Sequence, residues 1–177
     1  MSLEPRRRYS RWHRFLEVAV ATRLGAWLFV TVVSRIDRPL IRLSRGRISV
    51  ALGQNVGLLT TTGARSGLPR SAPVGFVPDG DNIILVASNG GRPRHPAWYF
   101  NLRTHPEAEL LLPGHRGTFA AREVFGEERA QLWAKAVAYY SGWEKYETRT
   151  GGREIPMFLL TPRVIGDLST GAQGGAE

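Results

Sequence analysis

Val56-Gly57-Leu58-Leu59-Thr60-Thr61-Thr62-Gly63-Ala64-Arg65-Ser66-Gly67-Leu68-Pro69-Arg70 reads as a short, β-branched apolar strand that stops at Gly63 and opens into a glycine-rich turn with two cations. A turn after a strand presents backbone N–H groups, and Arg65 and Arg70 add fixed charge. Together they suit a phosphate or carboxylate. The plainer reading is a hairpin turn that binds nothing. Outward from this stretch, strand-like segments follow at 72–77 and 82–87, joined through Pro78-Asp79-Gly80-Asp81, a strong hairpin signal. Residues 88–96 read as a loop, and a helix from about Pro96 to Thr104 ends at His105-Pro106. Segments 109–112 and 118–124 form a second hairpin across Pro113-Gly114. Residues 127–140 read as a helix with Arg129, Trp133, Val137 and Tyr140 on one side and Leu132 and Ala136 adjacent. A last strand covers 157–160, and the small-residue tail 166–177 is expected to be mobile. Hairpins with inserted helices imply an α+β fold whose antiparallel sheet closes as a barrel.

Upstream, the chain changes character. Of the formal net charge of +9, residues 1–50 carry +8, from eleven arginines against Glu4, Glu17 and Asp37. The body is close to neutral, so the basicity belongs to an arm and argues against nucleic acid as the partner. Residues 1–46 read as a basic, amphipathic helical segment. Arg7, Arg11 and Arg14 share a face opposite Trp12, Phe15, Leu16, Ala19 and Val20. An anionic membrane surface suits it, beside the plainer reading of a solvated arm. The uncharged run 24–33 is too short to span a bilayer, which takes about 20 residues. No small-x-small cleavage site follows it, so a signal peptide is not expected. Asp37 reads as the cap of a short helix with Pro39 in its first turn and Gly46 near its end. On it Arg35, Arg38, Arg42 and Arg45 line one side, and Ile36, Leu40 and Leu43 point toward a partner.

The sequence holds no cysteine, which excludes disulfides and thiolate chemistry and fits a reducing cytoplasm. His13, His95, His105 and His115 are scattered without ligand spacing, so no metal is expected. Neither a Walker-type phosphate loop nor a G-x-G-x-x-G after a strand occurs. Three stretches join the 60–70 turn as candidates. Ala87-Ser88-Asn89-Gly90-Gly91 ends a strand in a polar glycine-rich loop. Pro96 to Leu102 crowds aromatics onto a short helix, with Trp98 or Phe100 expected to serve partly as core. Tyr140, Trp143 and Tyr146 repeat every three residues. Such a stripe is more often core, although the serine, glycine and charges around it suggest a surface lid.

In order and spacing, L-L-T-T-T-G-A-R-S-G-x-P-R, V-A-S-N-G-G, H-P-A-W-Y-F-N-L and R-x-I-P resemble the deazaflavin-dependent nitroreductase family of actinobacteria across roughly residues 45–163. The resemblance implies a split β-barrel, FMN-binding split barrel-like, spanning 47–165, with coenzyme F420, an 8-hydroxy-5-deazaflavin, in place of a flavin. It implies that Ala64, Arg65 and Ser66 meet the coenzyme's phosphate and glutamate tail. Arg70, Ser71, Ala72, Pro73, Val74 and Gly75, with Val86, Ala87, Ser88 and Asn89, would border the ring. Ala97, Trp98, Tyr99, Phe100 and Asn101 would complete the pocket, and Tyr140, Trp143 and Tyr146 would cover the acceptor. Two positions depart from the pattern: Asn89 stands where relatives often carry lysine, and Gly75 where an aromatic is common.

Carbon in place of nitrogen at ring position five makes a reduced deazaflavin a hydride donor, and the protein supplies orientation and electrostatics. The expected reaction is hydride transfer to an electron-poor quinone, enone or nitroaromatic. A hydroxyl, Ser88 or Tyr146, would stabilise the charge that develops on the acceptor, while Tyr140 and Trp143 pack on it. Rival readings are an FMN enzyme of the related barrels and a non-catalytic barrel that holds a lipid or F420. A homodimer stands beside a monomer, and a cytoplasmic place beside one at the inner face of the membrane.

Overall fold

In the computed structural model residues 34–44 and 55–163 are described. In chain order they form α1 (Ser34–Leu43), β1 (Val56–Thr62), β2 (Pro69–Asp79), β3 (Asn82–Val86), a single 3-10 turn (Asn89–Gly91), α2 (Ala97–Thr104), β4 (Glu107–Leu112), β5 (His115–Val124), α3 (Gly126–Tyr139), α4 (Gly142–Glu147) and β6 (Met157–Pro162). Six antiparallel strands close into a barrel in the order β1-β2-β3-β6-β5-β4, with β4 paired back onto β1. Closure removes every exposed sheet edge. The basic arm before residue 34 and the tail after 163 lie outside the described residues. Among the described residues no helix is long and apolar enough to cross a membrane.

Strand alternation sorts the apolar side chains into separate cores. Leu59, Phe76, Leu85, Leu110, Phe119 and Phe158 come one from each strand and meet inside the barrel, with Trp98, Tyr99 and Leu102 of α2 packed among them. Their neighbours on β3 and β6, Ile84, Val86 and Met157, face outward and pack under α3 and α4. On the far side, Val56 and Leu58 of β1 pack against Ile41 of α1.

β2 is longer than the sequence suggests, beginning at Pro69 rather than Ala72. It holds three prolines, Pro69 at its first position and Pro73 and Pro78 inside it, which normally weaken a strand. The register explains the tolerance. Residues 69–75 pair with β1 and residues 76–79 with β3, so Pro73 and Pro78 each sit where one ladder runs.

The short helix also departs from expectation. It is helical from Ser34 to Leu43 among the described residues, so Asp37 lies within it and Pro39 is internal rather than in the first turn. Asp37 and Ile41, four residues apart, are the buried positions, whereas Ile36 and Leu43 are exposed at 49% and 84%. The face that meets the barrel is thus set by the 37/41 pair and not by Ile36, Leu40 and Leu43. Arg42 Nη2 donates to Ser71 Oγ at 3.1 Å, and Ser71 Oγ lies 2.9 Å from Thr60 Oγ1, which ties the helix across β2 to β1.

Candidate functional site

The 63–68 turn is closed from within. Gly63 N–H donates to Leu68 O at 2.9 Å and Gly67 N–H to Gly63 O at 2.8 Å. Leu68 N–H reaches Ser66 Oγ at 3.4 Å. A Cβ on Gly63 would come 2.7 Å from Ser66 Oγ and 3.1 Å from Leu68 O, so only glycine permits the closure. Ala64 N–H donates to Asn101 Oδ1 at 3.0 Å, and Asn101 Nδ2 donates to Thr61 Oγ1 at 2.9 Å. Asn101, 7% exposed, therefore pins the turn and the end of β1 to α2. The expected cradle of backbone N–H groups is corrected here. Those of Gly63, Gly67 and Leu68 are taken up inside the turn and that of Ala64 by Asn101, which narrows the cradle to the backbone of Arg65 and Ser66 beside the arginine side chains.

A cavity of about 1460 Å³ opens beside this turn. That exceeds the roughly 300–1,000 Å³ common for small ligands and suits an extended one. Ala64, Arg65, Ser66, Arg70, Ser71 and Ala72 form one wall; Ala97, Trp98, Phe100 and Asn101 form another. Ten of the expected binding residues are thus brought together. Arg38, Arg42 and Arg103 join them, giving, among the described residues, five guanidinium groups and no carboxylate on the lining. Arg103 has a partner in Glu123 at 3.6 Å. Among the described residues, Arg38, Arg42, Arg65 and Arg70 make no ion pair. Sequence reasoning missed α1 as a wall. The four-residue spacing of Arg38 and Arg42 was its signal, but nothing local said what that face would meet.

The two aromatics of α2 divide their duties. Trp98 is 9% exposed and packs edge-on to Phe158, whereas Phe100 is 50% exposed at the cavity rim. Tyr99 lies in the barrel core, stacked on His95 at 4.4 Å between ring centres. Val74 and Ala87 are also in that core, and Val86 is in the outer one. Pro73 and Gly75 continue β2 opposite Leu58 and Val56. Tyr99, Val74, Ala87, Val86, Pro73 and Gly75 do not line the cavity.

The other expected residues gather around the exit of β3. Ser88 is 5% exposed. Asn89 has φ 51°, a left-handed conformation that asparagine tolerates better than most side chains, and its Nδ2 donates to Arg94 O at 2.8 Å. This position is therefore a strut of the 89–94 loop. Gly91 has φ +75°, and a Cβ there would come 3.1 Å from both Tyr146 O and Arg149 Cβ, so the loop lies close against α4. Tyr140, Trp143 and Tyr146 pack ring to ring at 5.5–6.4 Å and are 6–7% exposed. The expected surface lid is thus corrected to a buried cluster, because the outer faces of β3 and β6 supply its floor. A Cβ on Gly142 would strike the Tyr140 ring, so that glycine makes the turn into α4 possible. Burial, helped by the nearby Tyr140, pushes the Tyr146 phenol well above its ordinary range, so it stays a proton-bearing donor. The Trp143 indole N–H is buried with no hydrogen-bond partner.

Burial, then Arg153 and Arg103, lowers the pKa of His95, while the Tyr99 ring stacks on it. A base with a lowered folded pKa binds fewer protons folded than unfolded below pH about 6.5, so stability falls as pH drops from there through the folded pKa. Wild type is expected to lose Tm faster than His95→Gln between pH 7 and 5 in a thermal melt series. Parallel curves would refute this.

The family model for F420H(2)-dependent quinone reductase matches residues 33–162. The chain belongs to this family. A relative described as an F420H(2)-dependent quinone reductase of Mycobacterium tuberculosis is 37% identical over 109 residues, covering 60% of this chain and 72% of the relative. A solved F420-H2 dependent reductase is 39% identical with a TM-score of 0.55, covering 60% of this chain and 93% of that one. A second solved structure, described as a domain-swapped dimer, is 35% identical with a TM-score of 0.57, covering 71% and 96%. The family name agrees with the deazaflavin donor expected from the motifs. The barrel agrees with the expected split-barrel architecture, and the family's α+β fold includes α1 within the matched span.

Proposed function

We propose that the protein is an F420H2-dependent reductase that passes hydride to a quinone, with the coenzyme's anionic tail in the arginine-lined cavity and the acceptor beside Ser88 and α4. The single observation that carries this is the cavity lining, which among the described residues holds five guanidinium groups and no carboxylate. A ligand bearing phosphate and several carboxylates matches such a lining, whereas a neutral lipid does not. The bound coenzyme supplies the hydride. Arg65 and Arg70 from the turn, and Arg38 and Arg42 from α1, hold the tail between them. Asn101 fixes the turn, so the two arginines of that wall are held before the ligand arrives. Trp98 and Phe100 offer apolar area where the lining leaves the charged end.

The acceptor end rests on different atoms. Hydride transfer leaves negative charge on the acceptor oxygen, and donors already in place there stabilise it without reorganisation. The Tyr146 phenol keeps its proton at neutral pH. The Trp143 indole N–H is a buried donor without a partner, a state that costs about 1–3 kcal/mol and that a carbonyl oxygen would relieve. Ser88 precedes the loop that packs against Tyr146. Ser88→Ala and Tyr146→Phe are expected to lower kcat with a quinone by about 10–100-fold while leaving F420 affinity in place. Unchanged kcat in both would remove the hydroxyl donors from the account.

Peripheral attachment to anionic lipid is proposed for the basic arm, since each arginine near such a surface contributes about 1 kcal/mol. Deleting residues 1–33, which spares α1, is expected to abolish co-sedimentation with anionic vesicles. Retained co-sedimentation would end the idea.

A further inference from the structure

We propose that Arg153 is a positioning residue that sets Ser88 in place by clamping the 88–95 loop onto the approach to β6. The proposal rests on the reading of Ser88 as a donor to the acceptor. Arg153 opens the Arg153-Glu154-Ile155-Pro156 stretch, which so far has no function. Its Nη2 donates to Ser88 O at 3.2 Å and to Arg92 O at 3.0 Å. Its Nη1 lies 2.9 Å from His95 Nδ1 and 3.3 Å from Glu154 O. One planar group therefore ties the start, middle and end of the loop together.

The surroundings exclude the ordinary role of an arginine in an ion pair. Among the described residues all its partners are neutral: three backbone carbonyls and a histidine nitrogen acting as acceptor. The Arg153 Nε–H is buried without a partner. A half-buried guanidinium that gains no carboxylate is a poor source of net stability, since its desolvation is not offset by an opposite charge. Its fork, however, reaches acceptors in several directions from one rigid plane, which an ammonium on a single nitrogen cannot copy.

The rest of the stretch supports the same placement. Ala87 N–H donates to Pro156 O at 2.9 Å, so the residue before Ser88 is fixed to the same segment. Ile155 is fully buried in the outer core, and Arg129 Nη2 donates to its carbonyl at 2.9 Å. The anchor of the clamp is thus held from both sides, while the loop it grips contains Asn89, Gly90 and Gly91, all at positive φ. Such a loop has many alternative conformations, and the arginine selects one.

A double-mutant cycle between Arg153→Lys and Ser88→Ala, read as kcat with a quinone and as F420 Kd, tests the clamp. In the Ser88 background Arg153→Lys is expected to lower kcat about 10-fold, as a small misplacement of a reacting group does. In the Ser88→Ala background the same change is expected to cost less than about twofold, with Kd for F420 unchanged in both. Equal losses in the two backgrounds would overturn the clamp and leave Ser88 as a donor. Ser88→Ala with undiminished kcat would overturn both. Should Arg153→Lys not fold, Arg153→Gln, whose amide retains one donor nitrogen, carries the same cycle to the same two outcomes.

Discussion

Replacing Arg65 and Arg70 together by alanine is expected to weaken F420 binding about 100-fold or more. Each guanidinium forms charge-assisted contacts with a phosphate or carboxylate, worth about 1.5–3 kcal/mol, and 1.4 kcal/mol is tenfold in Kd. Among the described residues neither side chain is held in an ion pair; Arg70 Nη2 has only a long contact to Ser66 Oγ, at 3.5 Å, so no carboxylate competes with the ligand. Both are exposed, so their removal leaves the cores intact. The variant is expected to melt within a few degrees of wild type, and wild-type affinity is expected to fall as salt rises. Fluorescence titration at two ionic strengths measures both effects. An unchanged Kd would mean that the anionic tail lies elsewhere.

Asn101→Leu should cause the second large effect, on stability and binding at once. It strands Ala64 N–H, part-buried at the turn, and takes from the buried Thr61 hydroxyl its donor, leaving it only a long contact to Arg70 O at 3.5 Å. One stranded donor and one lost hydrogen bond together cost roughly 2–4 kcal/mol, which for a chain of this size lowers Tm by on the order of 5–15 °C. Because Asn101 holds the turn that carries Arg65, F420 affinity should fall with it. Asn101→Asp retains the acceptor for Ala64 N–H and is expected to recover part of both losses. A leucine variant as stable as wild type, with full affinity, would show that the turn holds its shape without α2.

Much of the fold was legible because its signals are local. The β-branched run before Gly63, the Pro78-Asp79-Gly80-Asp81 hairpin and the Pro113-Gly114 turn each fix a strand end by backbone preference alone. The helix of 97–104 was equally plain, bounded by Pro96 and by His105-Pro106. The start of β2 was not, because whether a proline fits in a strand depends on which neighbour is present at that residue. The orientation of α1 was hidden for a similar reason. Asp37 looks like a cap and Ile36 like core, and only the docking on β1 reverses them.

In the candidate site, the turn and the α2 aromatics could be read from residue types. The links that organise them could not. Asn101 reaches 37 residues back to Ala64 and 40 to Thr61, and Arg153 reaches 65 back to Ser88. No local pattern encodes such pairs. The burial of Tyr140, Trp143 and Tyr146 was open to either reading, since three aromatics at that spacing suit core and site alike. The structure makes them a buried cluster that still holds an unpaired indole N–H.

The most direct test of the central claim is a titration of the purified protein with F420, followed by the coenzyme's intrinsic fluorescence, beside a parallel titration with FMN. Saturable F420 binding that weakens in the Arg65→Ala/Arg70→Ala variant, with no FMN binding, is the predicted result. Binding of FMN instead of F420, or of neither, would contradict it.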